Sequence, residues 1–321
     1  MTTLRFIGLQ PKSLRAYQRA LRHFFQWLED EEEPIPQTYR LLDSKLWMDD
    51  CHITYAGHTL SAFRRFYPQV RYKIPLARQY FVNWKSIHVS RQAVPMPADV
   101  VLAIAGVAVS CHRESFAAAI LLAYAAFLRT GEIIQLAPHR IAVDPQLRFV
   151  ILSLPATKTS KQKDESVSIE DVNLAILVQH VLTLCTTETL LNVSANQFRA
   201  MLKLFCSFLN LEPCGFSGYS LRRGGASHAF ASGQTFDQLL VKGRWQSVKT
   251  ARVYLDSGRA QLIQMRLLSE SVCKVQQFSS RITEFIEQLR QNFPTSQKKR
   301  SEVPFWQKNK KRKGKNKKRK G

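Results

Sequence analysis

Residues 217–230 read SGYSLRRGGASHAF, and residues 243–255 read GRWQSVKTARVYL. The first stretch sets two arginines, Arg222 and Arg223, directly before two glycines; the second carries Trp245 and, nine residues later, Tyr254. Their patterns predict helices at Leu221 to Ala231, Thr235 to Lys242 and Ser247 to Leu255. Upstream, AFLRTGEIIQL (126–136) holds Arg129 with Glu132 three residues on, and ATKTS (156–160) holds Lys158. The cations in these segments are isolated and sit where predicted elements begin or end.

Around these segments the pattern is mainly helical with one small sheet. Helices are predicted at Ala98 to Cys111, Glu114 to Leu128, Val172 to Leu184 and Asn196 to Leu209. Between Arg140 and Glu170 the short β-branched runs RIAVD, RFVILSL and ESVSIE predict an antiparallel sheet, its last turn being TKTSKQKD at 157–164. In the first ninety residues Leu14, Tyr17, Leu21, Phe24, Phe25 and Leu28 form one apolar helical face, with Ser13 as a candidate cap. Further helices follow at His58 to Val70 and about Pro75 to Ile87. VSRQAVPMP (89–97) breaks the periodicity, because proline also pushes its predecessor out of the helical region. The division expected is a helical domain at 1–90, a linker at 91–97, a larger domain at 98–270, a C-terminal helix at 271–294 and a basic disordered tail at 295–321. In the C-terminal helix, Val275, Phe278, Ile282, Phe285, Ile286 and Leu289 form a stripe that packs either on its own domain or on a neighbouring subunit.

Composition narrows the partner. The 321 residues carry a formal charge of +23, and from Lys298 to Gly321 thirteen Lys or Arg face a single acid, Glu302. The rest of the chain is basic as well, so a polyanion is expected to meet the folded part and the tail alike. Arg64 and Arg65 on the second helix, with Lys73 and Arg78 beyond it, are candidate DNA contacts. Six scattered cysteines without a CxxC pair, and an N-terminus without an apolar signal core, fit a reducing compartment. The longest apolar run, FAAAILLAYAAFL at 116–128, is short of the ~20 residues a bilayer needs and predicts a buried helix; no membrane partner is expected.

Several chemistries lack their residues. Metal-assisted hydrolysis calls for converging carboxylates or a Cys/His ligand set. The acidic run at 29–33 is consecutive and ends at Pro34, while Cys51 with His52 and Cys111 with His112 are adjacent pairs unsuited to tetrahedral zinc. Neither GxxxxGK nor GxGxxG occurs. No cofactor and no metal site is expected.

Arg129, Lys158, Arg222, Trp245 and Tyr254, in that order and spacing, give the chain a likeness: over about residues 97–262 it resembles the tyrosine recombinases, or phage integrases, and LRRGGA is typical of them. Residues 10–90 resemble that family's core-binding domain more weakly, and the GRW form looks most like crypton-type recombinases of eukaryotic mobile elements. The resemblance implies a helical DNA core-binding domain followed by a mixed, mostly α, catalytic domain with a small antiparallel sheet. It also implies double-stranded DNA as partner, a tetrameric synapse, and strand transfer through a 3′-phosphotyrosyl intermediate without metal or ATP.

The roles it implies make chemical sense. Attack of the Tyr254 oxygen on a phosphodiester builds negative charge on the non-bridging oxygens, which Arg129 and Arg222 would neutralise with planar guanidinium forks. Tyrosine ionises near pH 10, so nearby cations must favour its phenolate. Lys158 would protonate the leaving 5′ oxygen. Lys161 and Lys163 on the same turn, with Arg223 and Arg244, are candidate phosphate contacts. Trp245 can donate one N–H but cannot move protons, and Glu132 would orient Arg129 or cap local backbone. His228 is expected to be structural.

Tyr219 departs from the pattern. Its slot, three residues before the second arginine, usually holds His or Lys, and losing proton-transfer help costs about 10² to 10⁴ in rate. A slower enzyme, one using the Tyr219 hydroxyl as a hydrogen-bonding group, and a decayed site that only binds DNA therefore all stay open, as does topoisomerase-like relaxation. The tail reads as a nuclear localisation signal or a DNA anchor; the nucleus is expected for a eukaryotic host, the nucleoid otherwise.

Overall fold

The computed structural model describes residues 9–30, 32, 51–70, 72–88, 92–144, 146–155 and 164–292. Lys158, Lys161, Lys163 and the basic tail lie outside them. Two compact units divide at 91/92. The described residues are mostly helical, with one three-stranded antiparallel sheet. None of the described helices is long and apolar enough to cross a membrane.

The first unit contains α1 (Pro11–Asp30), α2 (Ile53–Phe66) and α3 (Pro75–Ile87). Helix α1 starts at Pro11, whose fixed φ suits a first turn, so Ser13 lies inside the helix and does not cap it. Helix α2 begins five residues earlier than the periodicity suggested, because the His52 ring nitrogen accepts from the Thr54 N–H at 3.2 Å and caps it. Phe24, Leu28, Leu60, Phe63, Ile74 and Ala77 form the core, with Phe24 and Phe63 packed edge to face at 5.5 Å. Arg64, Arg65, Lys73 and Arg78 are exposed.

The second unit is built on two helices buried almost all round, α4 (Ala98–Ser110) and α5 (Glu114–Ala125). Apolar residues on every face leave such helices no solvent side, as the run at 116–128 predicted. After α6 (Thr130–Ile134) the sheet runs β1 (Ile141–Val143), β2 (Val150–Leu154) and β3 (Glu165–Ile169), in that spatial order. Its last register pair is Leu154 with Glu165. Then come α7 (Val172–Leu184), α8 (Ala195–Phe208), α9 (Gly218–Ala231), α10 (Phe236–Gly243), α11 (Val248–Arg252), α12 (Ser257–Arg266) and α13 (Ser269–Asn292). Helix α13 buries Val275, Ile282 and Ile286 against its own unit, which decides between the two destinations for its stripe. Helix α12 has no buried residue, so no apolar period announced it.

Residues 92–97, expected as linker, are packed into the second unit. Met96 is fully buried and its N–H donates to Ser220 O at 3.1 Å. This contact explains the double glycine after Arg223: a Cβ on Gly224 would collide with the Met96 backbone, and one on Gly225 with the Tyr124 carbonyl. Helix α9 lies against two backbones at once because it carries no side chain there.

Gly224→Ala is expected to destabilise the protein by about 1–3 kcal/mol, the usual cost of overpacking, read as a lower urea midpoint; an unchanged midpoint would refute this packing.

Candidate active site

Two chain reversals build the site. Helix α5 ends at Ala125, three residues before the periodicity did, because Phe127 adopts the left-handed region (φ 51°). Helix α10 ends the same way at Arg244 (φ 54°). Left-handed backbone is unusual for such bulky residues. Here it directs the carbonyls of Phe127 and Gly243 at one side chain: Arg222 donates to Phe127 O through one terminal nitrogen and to Gly243 O at 2.7 Å through the other.

Arg222 is completely buried. Its guanidinium lies 5.1 Å from the Trp245 ring and 5.0 Å from the Tyr254 ring, cation–π distances. Trp245 stacks between Phe127 at 6.0 Å and Tyr254 at 4.9 Å. Burial, followed by repulsion from Arg129 and Arg244, pushes the Arg222 pKa down to about 10, so it stays charged at neutral pH. The sequence had suggested a fork open to phosphate. Instead a fully buried guanidinium must satisfy its donors internally, and both terminal nitrogens are taken by carbonyls. The Arg222 Nε and the Trp245 indole N–H, both buried, have no hydrogen-bond partner among the described residues.

Tyr254 follows α11. Its N–H donates to Ala251 O at 2.8 Å, and its carbonyl accepts from Ser227 Oγ at 3.1 Å. Ser227 in turn accepts from the Asp256 N–H at 2.9 Å, tying the tyrosine segment to α9. The Tyr219 hydroxyl, one turn before Arg222, lies 2.7 Å from the Tyr254 hydroxyl.

Arg129 precedes α6. Both roles considered for Glu132 are present: its carboxylate accepts from the Arg129 backbone N–H at 2.8 Å and from the Arg129 guanidinium at 2.7 Å. It also accepts from Arg244 at 2.8 Å. Arg129 remains about one-third exposed, at 32% of its side chain, and is the more accessible of the two arginines expected at phosphate.

Arg223 and Arg244, expected as DNA contacts, are placed inside. Arg223 donates to Ala93 O at 2.6 Å and faces Asp256 at 3.6 Å. Arg244 joins Glu132 to Glu165, the latter at 3.6 Å, with only 3% of its side chain exposed. Burial lowers the pKa of both arginines. Arg244 thereby holds the first residue of β3 beside the Arg129 segment. Nothing in the sequence distinguished these two arginines from surface cations, since their partners lie far along the chain. His228 is exposed, 6.0 Å from the Tyr124 ring.

Glu132→Gln leaves Arg244 buried beside a neutral partner, so a loss of about 3–5 kcal/mol in urea unfolding is expected, as for other broken buried pairs; a loss under ~1 kcal/mol would show that the bridge contributes little.

No protein-family model and no curated protein matches the chain. Solved structures do. The Tn1549 transposon integrase in complex with circular intermediate DNA superposes at TM-score 0.58, with 13% identity over 80% of this chain and 95% of that one. XerH site-specific recombinase, bound to palindromic difH substrate, gives 0.56 at 10% identity, over 78% of each chain. A lambda integrase dimer bound to a COC′ core site gives 0.54 at 15% identity, over 78% of this chain and 73% of that one. In fold, then, this chain is similar to these recombinases and integrases, with many helices around one small antiparallel sheet.

Proposed function

We propose that the protein is a DNA strand transferase of the site-specific recombinase type, with Tyr254 as nucleophile. The observation that carries this reading is the contact of the Tyr254 ring with the buried Arg222 cation and with Trp245, while the one-third exposed Arg129 acts on Arg222 and on Tyr219 beside it. A buried cation at that distance attracts negative charge on the phenol oxygen, the atom that must act as nucleophile.

In the reaction proposed, the Tyr254 oxygen attacks the scissile phosphorus, the bond from phosphorus to the 5′ oxygen breaks, and the phenol proton leaves to solvent. The 5′ oxygen takes a proton from Lys158, which lies between β2 and β3 in the sequence. A 5′ hydroxyl of a partner duplex reverses the sequence, so the phosphodiester bond count is conserved and no ATP is needed. Arg129 would contact a non-bridging oxygen directly, while Arg222 supplies a fixed field. The unpartnered donors of Arg222 and Trp245 favour an incoming oxygen, because a buried donor left alone costs about 1–3 kcal/mol.

The DNA complexes among the structural neighbours support a DNA partner, with Arg64 and Arg65 of the first unit and Lys161 and Lys163 of the hairpin turn as contacts. A tetrameric synapse, a mobile element as host, and nuclear import through the lysine-rich tail complete the proposal. The second reading, a DNA-binding protein without strand transfer, draws on the internal engagement of the Arg222 fork.

On nicked duplexes drawn from selected DNA pools, the wild type is expected to form a denaturation-resistant protein–DNA adduct, and Tyr254→Phe to form none while still binding DNA. Salt-sensitive binding without adduct would favour the second reading.

A further inference from the structure

The site contains two phenols in direct contact. Tyr219 and Tyr254 stack with ring centroids 5.8 Å apart, and their hydroxyl oxygens are 2.7 Å apart, a normal hydrogen bond between hydroxyls. The partners are held differently. Tyr254 is fixed by Trp245, Arg222 and Ser227, whereas Tyr219 projects from the first turn of α9 and is 43% exposed.

Charges around the pair come from every neighbouring segment. Arg222 from α9 and Arg129 from the segment before α6 act on Tyr219. Arg223, paired with Asp256, acts on Tyr254 from the far side. Glu132 and Arg244 face Arg222 and neutralise one another at 2.8 Å. The surroundings are thus net positive and favour one negative charge on the pair. Two phenolates in contact would repel, so only one hydroxyl ionises, and the other then donates to it. Burial, with the bond to Tyr254, holds the Tyr219 proton above the ordinary tyrosine range. The Arg222 guanidinium lies against the Tyr254 ring, at 5.0 Å, so the charge is placed on Tyr254 and Tyr219 is the partner that keeps its proton.

We propose, resting on the reading of Tyr254 as nucleophile, that Tyr219 is a positioning residue whose hydroxyl donates to the Tyr254 oxygen, fixing its direction and stabilising its phenolate. Tyr219 forms no bond to phosphorus and accepts no proton. It acts by hydrogen bonding alone, so its contribution appears as a lower pH for ionisation of Tyr254.

A tyrosinate absorbance titration of the full-length free protein tests this without DNA. The difference between wild type and Tyr254→Phe isolates Tyr254, and the same difference is taken on a Tyr219→Phe background. A hydrogen bond to a charged group contributes roughly 10- to 100-fold, so the Tyr254 midpoint is expected to rise by about one unit or more when Tyr219 is replaced by Phe. Tyr219→His, which keeps a donor, should hold the lower midpoint and guards against a mere packing effect. An unchanged or lowered midpoint in Tyr219→Phe overturns the proposal. In the adduct assay, Tyr219→Phe should be slower by about tenfold or more at neutral pH and recover as pH rises. A substrate with sulfur in place of the scissile 5′ oxygen, a leaving group that needs no proton, should not restore it; restoration would assign Tyr219 to the leaving group and overturn the proposal. If the wild type forms no adduct at all, the nucleophile reading fails, while the absorbance titration still decides the donor role.

Discussion

One buried guanidinium organises the second unit. Arg222 has no exposed surface and, among the described residues, no carboxylate within ion-pair distance; its charge is met by two carbonyls and two aromatic faces. An arginine in such a place is tolerated only where its donors find acceptors, and that demand shapes the surrounding backbone. Helices α5 and α10 each end in a left-handed turn at a bulky residue, and each turn delivers one acceptor. The aromatic layer of Phe127, Trp245 and Tyr254 completes the enclosure. The phenol proposed as nucleophile is thus one wall of the box that holds the cation.

A second cationic system flanks the first and is neutralised differently. Arg129 and Arg244 share Glu132, and Arg244 extends to Glu165 at the foot of the β2–β3 hairpin. The contrast is physical: Arg129 and Arg244 have carboxylate partners, whereas the field of Arg222 stays largely uncompensated and falls on Tyr254. Arg244 thus registers three remote segments of the chain against one another through two carboxylates, Glu132 and Glu165.

Much of the fold could be read from the residues, and the reasons are specific. Helix α3 spans the residues its pattern indicated, as does α7, because each alternates buried and exposed positions or runs apolar between clear breaks. The small sheet was readable from three short β-branched runs. The end of α5 was not, since a left-handed Phe127 leaves no compositional mark, whereas α10 ends within one residue of where its pattern does. Helix α12 was missed because it buries nothing. At the site, the order and spacing of Arg129, Arg222, Trp245 and Tyr254 pointed to one pocket, and they do converge. What spacing could not convey was depth. Arg222 read as a fork open to phosphate, and Arg223 and Arg244 as DNA contacts, yet the side chain of each is buried against groups distant in the chain. The phenol pair was equally hidden, since Tyr219 and Tyr254 are separated by 35 positions.

The stacking of Trp245 on Tyr254 has an optical corollary. Trp245 is the only tryptophan between residues 92 and 292, and its indole plane lies within 25° of the Tyr254 ring, centroids 4.9 Å apart. At that separation the fluorescence of the indole is exposed to quenching by its neighbour, and most strongly when that neighbour is ionised. The Trp245 share of the emission, read as the difference from Trp245→Phe because Trp27, Trp47, Trp84 and Trp306 also emit, therefore gauges the charge state of the phenol without any attached label.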